Sequence, residues 1–156
     1  MRVDAKIDDK AIKALMKKMP GRVEKGSKKG LARAAAYVEL AIKKRTARGI
    51  SVKGGMFTPY SDGYAKFRSE HGRGNRVDLN YTGRMLAAMH WKVKSAKEAV
   101  IFFVSGEEAK KAMYHHKMGA GRGKVVRPWF DINRAEVNQV KKIFGKRLHE
   151  YLRATP

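Results

Sequence analysis

The chain has 156 residues, no cysteine, and 36 lysines and arginines against 14 aspartates and glutamates, a formal charge of +22. That length suits a single domain over 1–156 with a real core; the missing cysteines exclude disulfides, thiolate zinc sites and thiol catalysis, and the charge calls for an anionic neighbour, nucleic acid or an acidic protein surface. No apolar run nears the roughly 20 residues that span a bilayer, and MRVDAKIDDK lacks the apolar core of a signal peptide, so a soluble protein made without export and without a membrane partner is expected.

Asp8 suits the N-cap of a short helix in which Ile12, Leu15, Met16 and Met19 fall at helical spacing, and Pro20-Gly21 is expected to break it. A long helix is predicted from about Gly21 to Arg48. Leu31, Ala35, Val38 and Ile42 form its apolar stripe, and Arg22, Lys29, Arg33 and Lys44 lie on roughly the opposite side. Ala36, Tyr37 and Leu40 interrupt that basic side. A helix apolar on two sides has two things to pack against, so Tyr37 and Leu40 are candidates for contact with another subunit. Residues 49–80 hold six glycines and one proline with little periodicity. They read as a long loop around residues 60–67, and both 49–80 and 119–126 are expected to be mobile, the first places trypsin would cut.

Thr82 suits the N-cap of a short helix over 83–89. Trp91 and Val93 alternate inward in HWKVKSA, and AVIFFVS is a continuous apolar run. Joined by Ala96-Lys97-Glu98, the two predict a β-hairpin whose second strand is buried on both faces at the centre of a sheet. Ser105 with Glu108 three residues on is a capping box for a helix that Gly119 stops. Asn133 and Glu136 repeat the pattern ahead of a C-terminal helix with a buried stripe of Val137, Val140, Phe144, Leu148 and Tyr151. Helices, then strands, then a helix predict an α+β fold: a long N-terminal helix and a C-terminal helix packed on a small, mainly antiparallel sheet, with long loops.

The stretch KMGAGRGKVVRPWF, residues 117–130, raises the question of a phosphate-binding loop. Gly119, Gly121 and Gly123 alternate without the four-residue gap, Val125 follows Lys124 where a hydroxyl would hold magnesium, and a helix rather than a strand precedes. The reading preferred is a basic loop carrying Arg122 and Lys124 and ending at an anchor, Arg127-Pro128-Trp129-Phe130, in which Trp129 and Phe130 pack beneath the sheet. Serine at Gly121 and Gly123 is then expected to cost almost nothing. His115 and His116 are adjacent and point about 100° apart on a helix, so they do not chelate one metal; one is expected to be packed or hydrogen-bonded and the other solvated. Asp62, Glu70 and Asp78 show no carboxylate-pair spacing, and Ser51, Ser61 and Ser69 lack a nucleophile elbow. No enzyme, metal or cofactor is expected. For nucleic acid the charge is right but no recognition module is present, and Tyr81, Trp91, Phe102 and Phe103 read as core more readily than as base-stacking platforms.

Several pieces in order carry a resemblance. Phe57-x-Pro59-Tyr60-Ser61-x-x-Tyr64, Leu79-x-Tyr81-Thr82-Gly83-x-x-Leu86, the apolar hairpin, Tyr114-x-His116-x-x-Gly119 and Arg127-Pro128-x-Phe130 together resemble the tail-completion and neck proteins of tailed bacteriophages, the phage virion morphogenesis family. The likeness covers residues 54–152. It implies a small α+β protein without catalytic activity that forms a homo-oligomeric ring at the head–tail junction of the virion, assembled in the host cytoplasm. Its implied partners are other copies of itself and the neighbouring head-closure, connector and tail proteins, with nonspecific proximity to DNA. By the same resemblance Thr82 and Gly83 match the family's turn, Gly119 its helix end, and Arg127, Pro128 and Phe130 its anchor; the chain departs from the pattern at Trp129 and at Tyr60. Such a ring accounts for high charge without a reading module, with Arg22, Lys29, Arg33, Lys44, Arg122 and Lys124 facing DNA or an acidic partner. The alternative is a stand-alone basic nucleic-acid-binding protein, and a weaker one is a hydrolase using His116.

Overall fold

The computed structural model describes residues 3, 4, 13, 17 and 20–154. The helix expected from Asp8 to Met19 lies outside the described residues, apart from Lys13 and Lys17, which are helical and exposed. Pro20 opens the long helix α1, Pro20–Ala47, at a position where a missing N–H costs nothing. The fold is α+β, as the order of elements predicts. Among the described residues no helix is long and apolar enough to cross a membrane.

The chain, read from sequence as one domain, gathers into two compact units. The first comprises Ala41–Met89 and Phe103–Asn133, and the described residues of the second are 3, 4, 13, 17, 20–40, 90–102 and 134–154.

The second unit holds the sheet. Strands β1 (Val3–Asp4), β2 (Met89–Ser95) and β3 (Glu98–Phe103) lie in the order β1-β3-β2. The central position of β3 is the one its continuous apolar run requires: consecutive Val100 and Ile101 are both buried, which only a strand covered on two faces achieves. Val3 pairs antiparallel with Ile101 and Asp4 with Val100. The C-terminal helix, labelled α5 in chain order, runs Arg134–Ala154, and its Phe144 and Leu148 are buried with Leu31 of α1 against Val93, Ala99 and Leu152. Each of the three large buried side chains contributes about 1.5–3 kcal/mol. Close approach of the helices depends on small residues: a Cβ on Gly26 would lie 2.8 Å from Leu148 Cδ1, and one on Gly30 2.8 Å from Phe144 Cδ2. The stripe Leu31, Ala35, Val38 and the helix positions Val140, Phe144 and Leu148 are all buried as their spacing predicts, with Val137 and Tyr151 half-buried at its margins.

In the first unit, Ile42, Arg45 and Thr46 at the end of α1 are buried. Three further helices follow: α2 (Asp62–Glu70), α3 (Arg84–Ala87) and α4 (Gly106–Met113), the last continued by a π-turn over Tyr114–Met118. Two expectations are corrected here. Residues 49–80 are not one long loop, because α2 lies inside them; the buried residue of α2 is Arg68, so apolar periodicity gives no sign of the helix. Nor does Thr82 cap the next helix. Gly83 does, at φ 82°, and the helix ends at Ala87 before β2 begins at Met89; the left-handed backbone at Gly83 replaces the extended conformation a threonine cap needs. The capping box of α4 is half present: Ser105 Oγ accepts from the Glu108 N–H at 3.4 Å, while the Glu108 carboxylate takes Lys111 Nζ at 2.8 Å.

Candidate functional site

The anchor Arg127-Pro128-Trp129-Phe130 is the hub of the first unit. Trp129 and Phe130 are fully buried, and their rings meet each other at 5.5 Å and Phe103, at the end of β3, at 6.1 and 5.0 Å. The expected packing beneath the sheet is thus, within this unit, packing on Phe103. Their backbone N–H groups both donate to His116 Nδ1 at 3.2 Å, and the Trp129 indole N–H donates to Ala112 O at 3.4 Å. Buried Arg45, which periodicity places on α1 without explaining, sends Nη2 to Trp129 O at 2.8 Å and Asp131 O at 2.7 Å. Buried Arg127 donates through Nε to Thr58 O and through Nη2 to Pro59 O, both at 2.8 Å, and its guanidinium lies 5.2 Å from the Tyr60 ring centre. Hydrogen bonds from charged donors to backbone acceptors are worth about 1.5–3 kcal/mol each, so Arg127 ties residues 58–59 to the anchor and Arg45 ties the end of α1 to residues 129–131.

The glycine stretch ahead of the anchor is a closed turn. Ala120 and Val125 exchange both backbone bonds, at 3.0 and 3.1 Å, and the Lys124 N–H donates to Gly121 O at 3.1 Å. Three N–H groups a phosphate loop would present are therefore satisfied within the turn, while Arg122 and Lys124 are exposed on it. Gly121 has φ 75° and Lys124 φ 45°, so serine at Gly121 carries backbone strain of about 1 kcal/mol, contrary to the expectation of no cost there.

The two histidines divide unlike the expectation of one packed and one solvated: both are half-buried. His116 accepts the two N–H bonds, whereas His115 Nδ1 is buried with no hydrogen-bond partner among the described residues. Burial pushes both below the ordinary imidazole range; Arg127 adds to the effect at His115, and at His116 Asp131 opposes it while Lys117 adds to it. The folded chain thus holds both rings neutral and the unfolded chain protonates first. Stability is fully present above pH ~6.5, the ordinary imidazole value, and is lost as pH falls through that value towards the lowered folded pKa. Thermal melts across pH 7.5 to 5 are expected to show this decline. His116→Asn, whose Oδ1 keeps the acceptor without the proton, is expected to flatten it; an unchanged slope would remove His116 as a cause.

A second feature, absent from the sequence expectations, surrounds α2. Arg68, 1 % exposed, donates to Gly74 O and Asn80 O at 3.3 Å and to Asp78 Oδ1 at 3.1 Å. Asp78 also accepts from the Asn80 N–H at 2.9 Å. These bonds clamp segment 74–80 onto α2 and bring Tyr81 beside Phe67, the rings 5.8 Å apart and 27° from parallel. Tyr64 continues the row, 6.1 Å from Phe67 at 21°, and Tyr60 meets Tyr64 edge-on at 4.9 Å. Tyr64 and Phe67 remain 38 % and 40 % exposed. Arg73 lies 5.7 Å over the Tyr81 ring.

In the second unit the predicted basic side of α1 is only partly an open charged surface. Lys29 and Arg33 are exposed, Lys29 lying 4.6 Å over the Tyr151 ring. Arg22 is half-buried and donates through Nη2 to Leu152 O at 3.1 Å, so it binds the end of α5 instead. Leu40 is 50 % exposed. Tyr37 is half-buried, and burial followed by the Glu136 carboxylate raises its phenol above the usual range. Lys44, on the part of α1 in the first unit, is exposed. Among the described residues no group of three or more acidic or histidine side chains is arranged to hold a metal. Comparison with protein families, characterised proteins and solved structures gave no match.

Proposed function

We propose that the chain is a structural, non-catalytic virion protein of a tailed bacteriophage: a neck or tail-completion subunit that forms a homo-oligomeric ring at the head–tail junction. It would contact the adjoining head-closure and tail proteins and lie beside DNA without reading it. The observation that carries the proposal is the convergence of four of the five resemblance-bearing segments, residues 90–102 of the apolar hairpin lying in the other unit. Thr58-Pro59-Tyr60, Tyr81, Gly83, His116, Gly119 and Arg127 through Phe130 all fall in one compact unit. There Arg127 joins the first segment to the last across 68 and 69 residues, and His116 ties to Trp129 and Phe130. Pieces weak alone thus form one cooperative assembly. A charge of +22 supports placement beside DNA, since neutralising a passing duplex needs charge but no base contacts.

Leu40, an exposed leucine on a lysine-rich helix, supports the subunit contact. Tyr37 has part of its surface already covered within its own unit, so Leu40 is the sharper probe. Leu40→Glu is expected to convert rings seen by negative-stain microscopy and mass photometry into monomers while leaving the circular dichroism spectrum and melt unchanged. A parent protein that stays monomeric up to ~100 μM, where subunit contacts of about 5.5 kcal/mol already populate oligomers, would count against the ring.

A further inference from the structure

We infer that the aromatic row Tyr64–Phe67–Tyr81, with Arg73, is a binding platform for single-stranded nucleic acid of no fixed sequence. Three observations converge. The rings form a near-parallel row, with successive tilts of 21° and 27°, and two of them are more than a third exposed, although large aromatic rings are costly to leave in water. The row is held in place before any partner arrives: Arg68 clamps segment 74–80 to α2, and Arg127 holds the Thr58-Pro59 backbone that leads to Tyr60. A cation attends it, Arg73 over Tyr81, and Arg76 in the clamped segment and Arg84 at the start of α3 are exposed a few residues from Tyr81 in the chain.

The carboxylates nearby are largely answered: Asp78 pairs with Arg68 at 3.1 Å and Glu70 lies 4.0 Å from Lys66. Asp62, exposed at the start of α2, is the remaining acidic group of that helix.

Exposed rings beside the Arg73 guanidinium select a ligand that offers flat faces and anionic charge together. Unpaired bases on a phosphate backbone do so; every base has a π-face, so stacking is indifferent to sequence. A duplex keeps its base faces inside the stack, and an acidic peptide brings charge without faces. The platform therefore goes beyond duplex proximity, and it does not depend on ring formation.

The test is fluorescence anisotropy at ~150 mM salt with three labelled probes: a 15-nucleotide oligo(dT), a duplex of equal length, and poly-glutamate of matched charge. The parent is expected to prefer oligo(dT) over both others. Tyr64→Ala/Phe67→Ala is expected to weaken oligo(dT) binding at least about tenfold and to leave duplex binding unchanged. Phe67→Leu, which keeps the bulk and removes the ring, is expected to weaken oligo(dT) binding in the same direction with an unchanged melt. Lys141→Ala/Lys142→Ala, exposed charges on α5, is expected to affect oligo(dT) and duplex alike. Equal or tighter binding of duplex or poly-glutamate by the parent would overturn the proposal. So would oligo(dT) affinity unchanged in Phe67→Leu. Failure here with rings intact leaves the neck-protein reading standing, and monomers that still bind oligo(dT) leave the platform standing.

Discussion

Gly119→Ala is expected to lower the stability of the first unit by about 3 kcal/mol or more and its melting temperature by roughly 10 °C. Gly119 has φ 86° and ψ 138°, a region closed to residues with a Cβ. The added carbon would collide with Lys124 O and Lys124 C. Those are backbone atoms and cannot swing aside as a flexible side chain would, so the turn has to open and both Ala120–Val125 bonds are lost. The neighbouring glycines grade the effect. Gly121→Ala meets open space but keeps φ 75°, a strain of about 1 kcal/mol. Gly123→Ala meets only Val125 Cγ2 at 3.6 Å and is expected to cost under about 0.5 kcal/mol. Thermal melts of the three variants should rank Gly119 far above Gly121, and Gly121 above Gly123. A Gly119→Ala melt within about 2 °C of the parent would mean that the turn is not closed as described.

Legibility followed apolar spacing and stopped where polar side chains do the joining. Stripes ending in Ile42 and Tyr151, and the doubly buried Val100-Ile101, announce α1, α5 and the central strand because water exclusion dictates their periods. Gly119 was readable as a helix stop, though not the carbonyl that closes on it. By contrast Arg45 and Arg127 are buried arginines bonded to backbone carbonyls 68 to 86 residues away, and Arg68 is a buried arginine bonded to two carbonyls and the Asp78 carboxylate 6 to 12 residues on. An arginine there looks identical to a solvated one until the carbonyls arrive, so α2, built around Arg68, read as loop, and Arg22 read as open charge. The aromatic row was hidden for a related reason: Tyr64 and Phe67 sit three residues apart on a helix, while Tyr81 joins them only through the clamp that Arg68 makes.

Trp129→Ala and Phe130→Ala are each expected to cost about 3–5 kcal/mol, and the double variant less than their sum. Both side chains are buried to within 1 % exposure, so truncation removes their apolar transfer energy and leaves a hole in a unit whose neighbours are fixed by hydrogen bonds and relax poorly. Trp129 carries an added penalty, because Ala112 O loses the indole N–H it accepts at 3.4 Å. Both singles forfeit the ring contact at 5.5 Å and a contact with Phe103. The double variant counts the shared contact once, so it should fall short of additivity by roughly 0.5–3 kcal/mol. Urea titrations of parent, singles and double measure this, read by far-ultraviolet circular dichroism and by the fluorescence of the remaining Trp91 where Trp129 is absent. Additive losses would mean that the two rings act separately. Single losses below about 1 kcal/mol would place them outside the core, and the anchor would then owe its position to Arg45 and Arg127 alone.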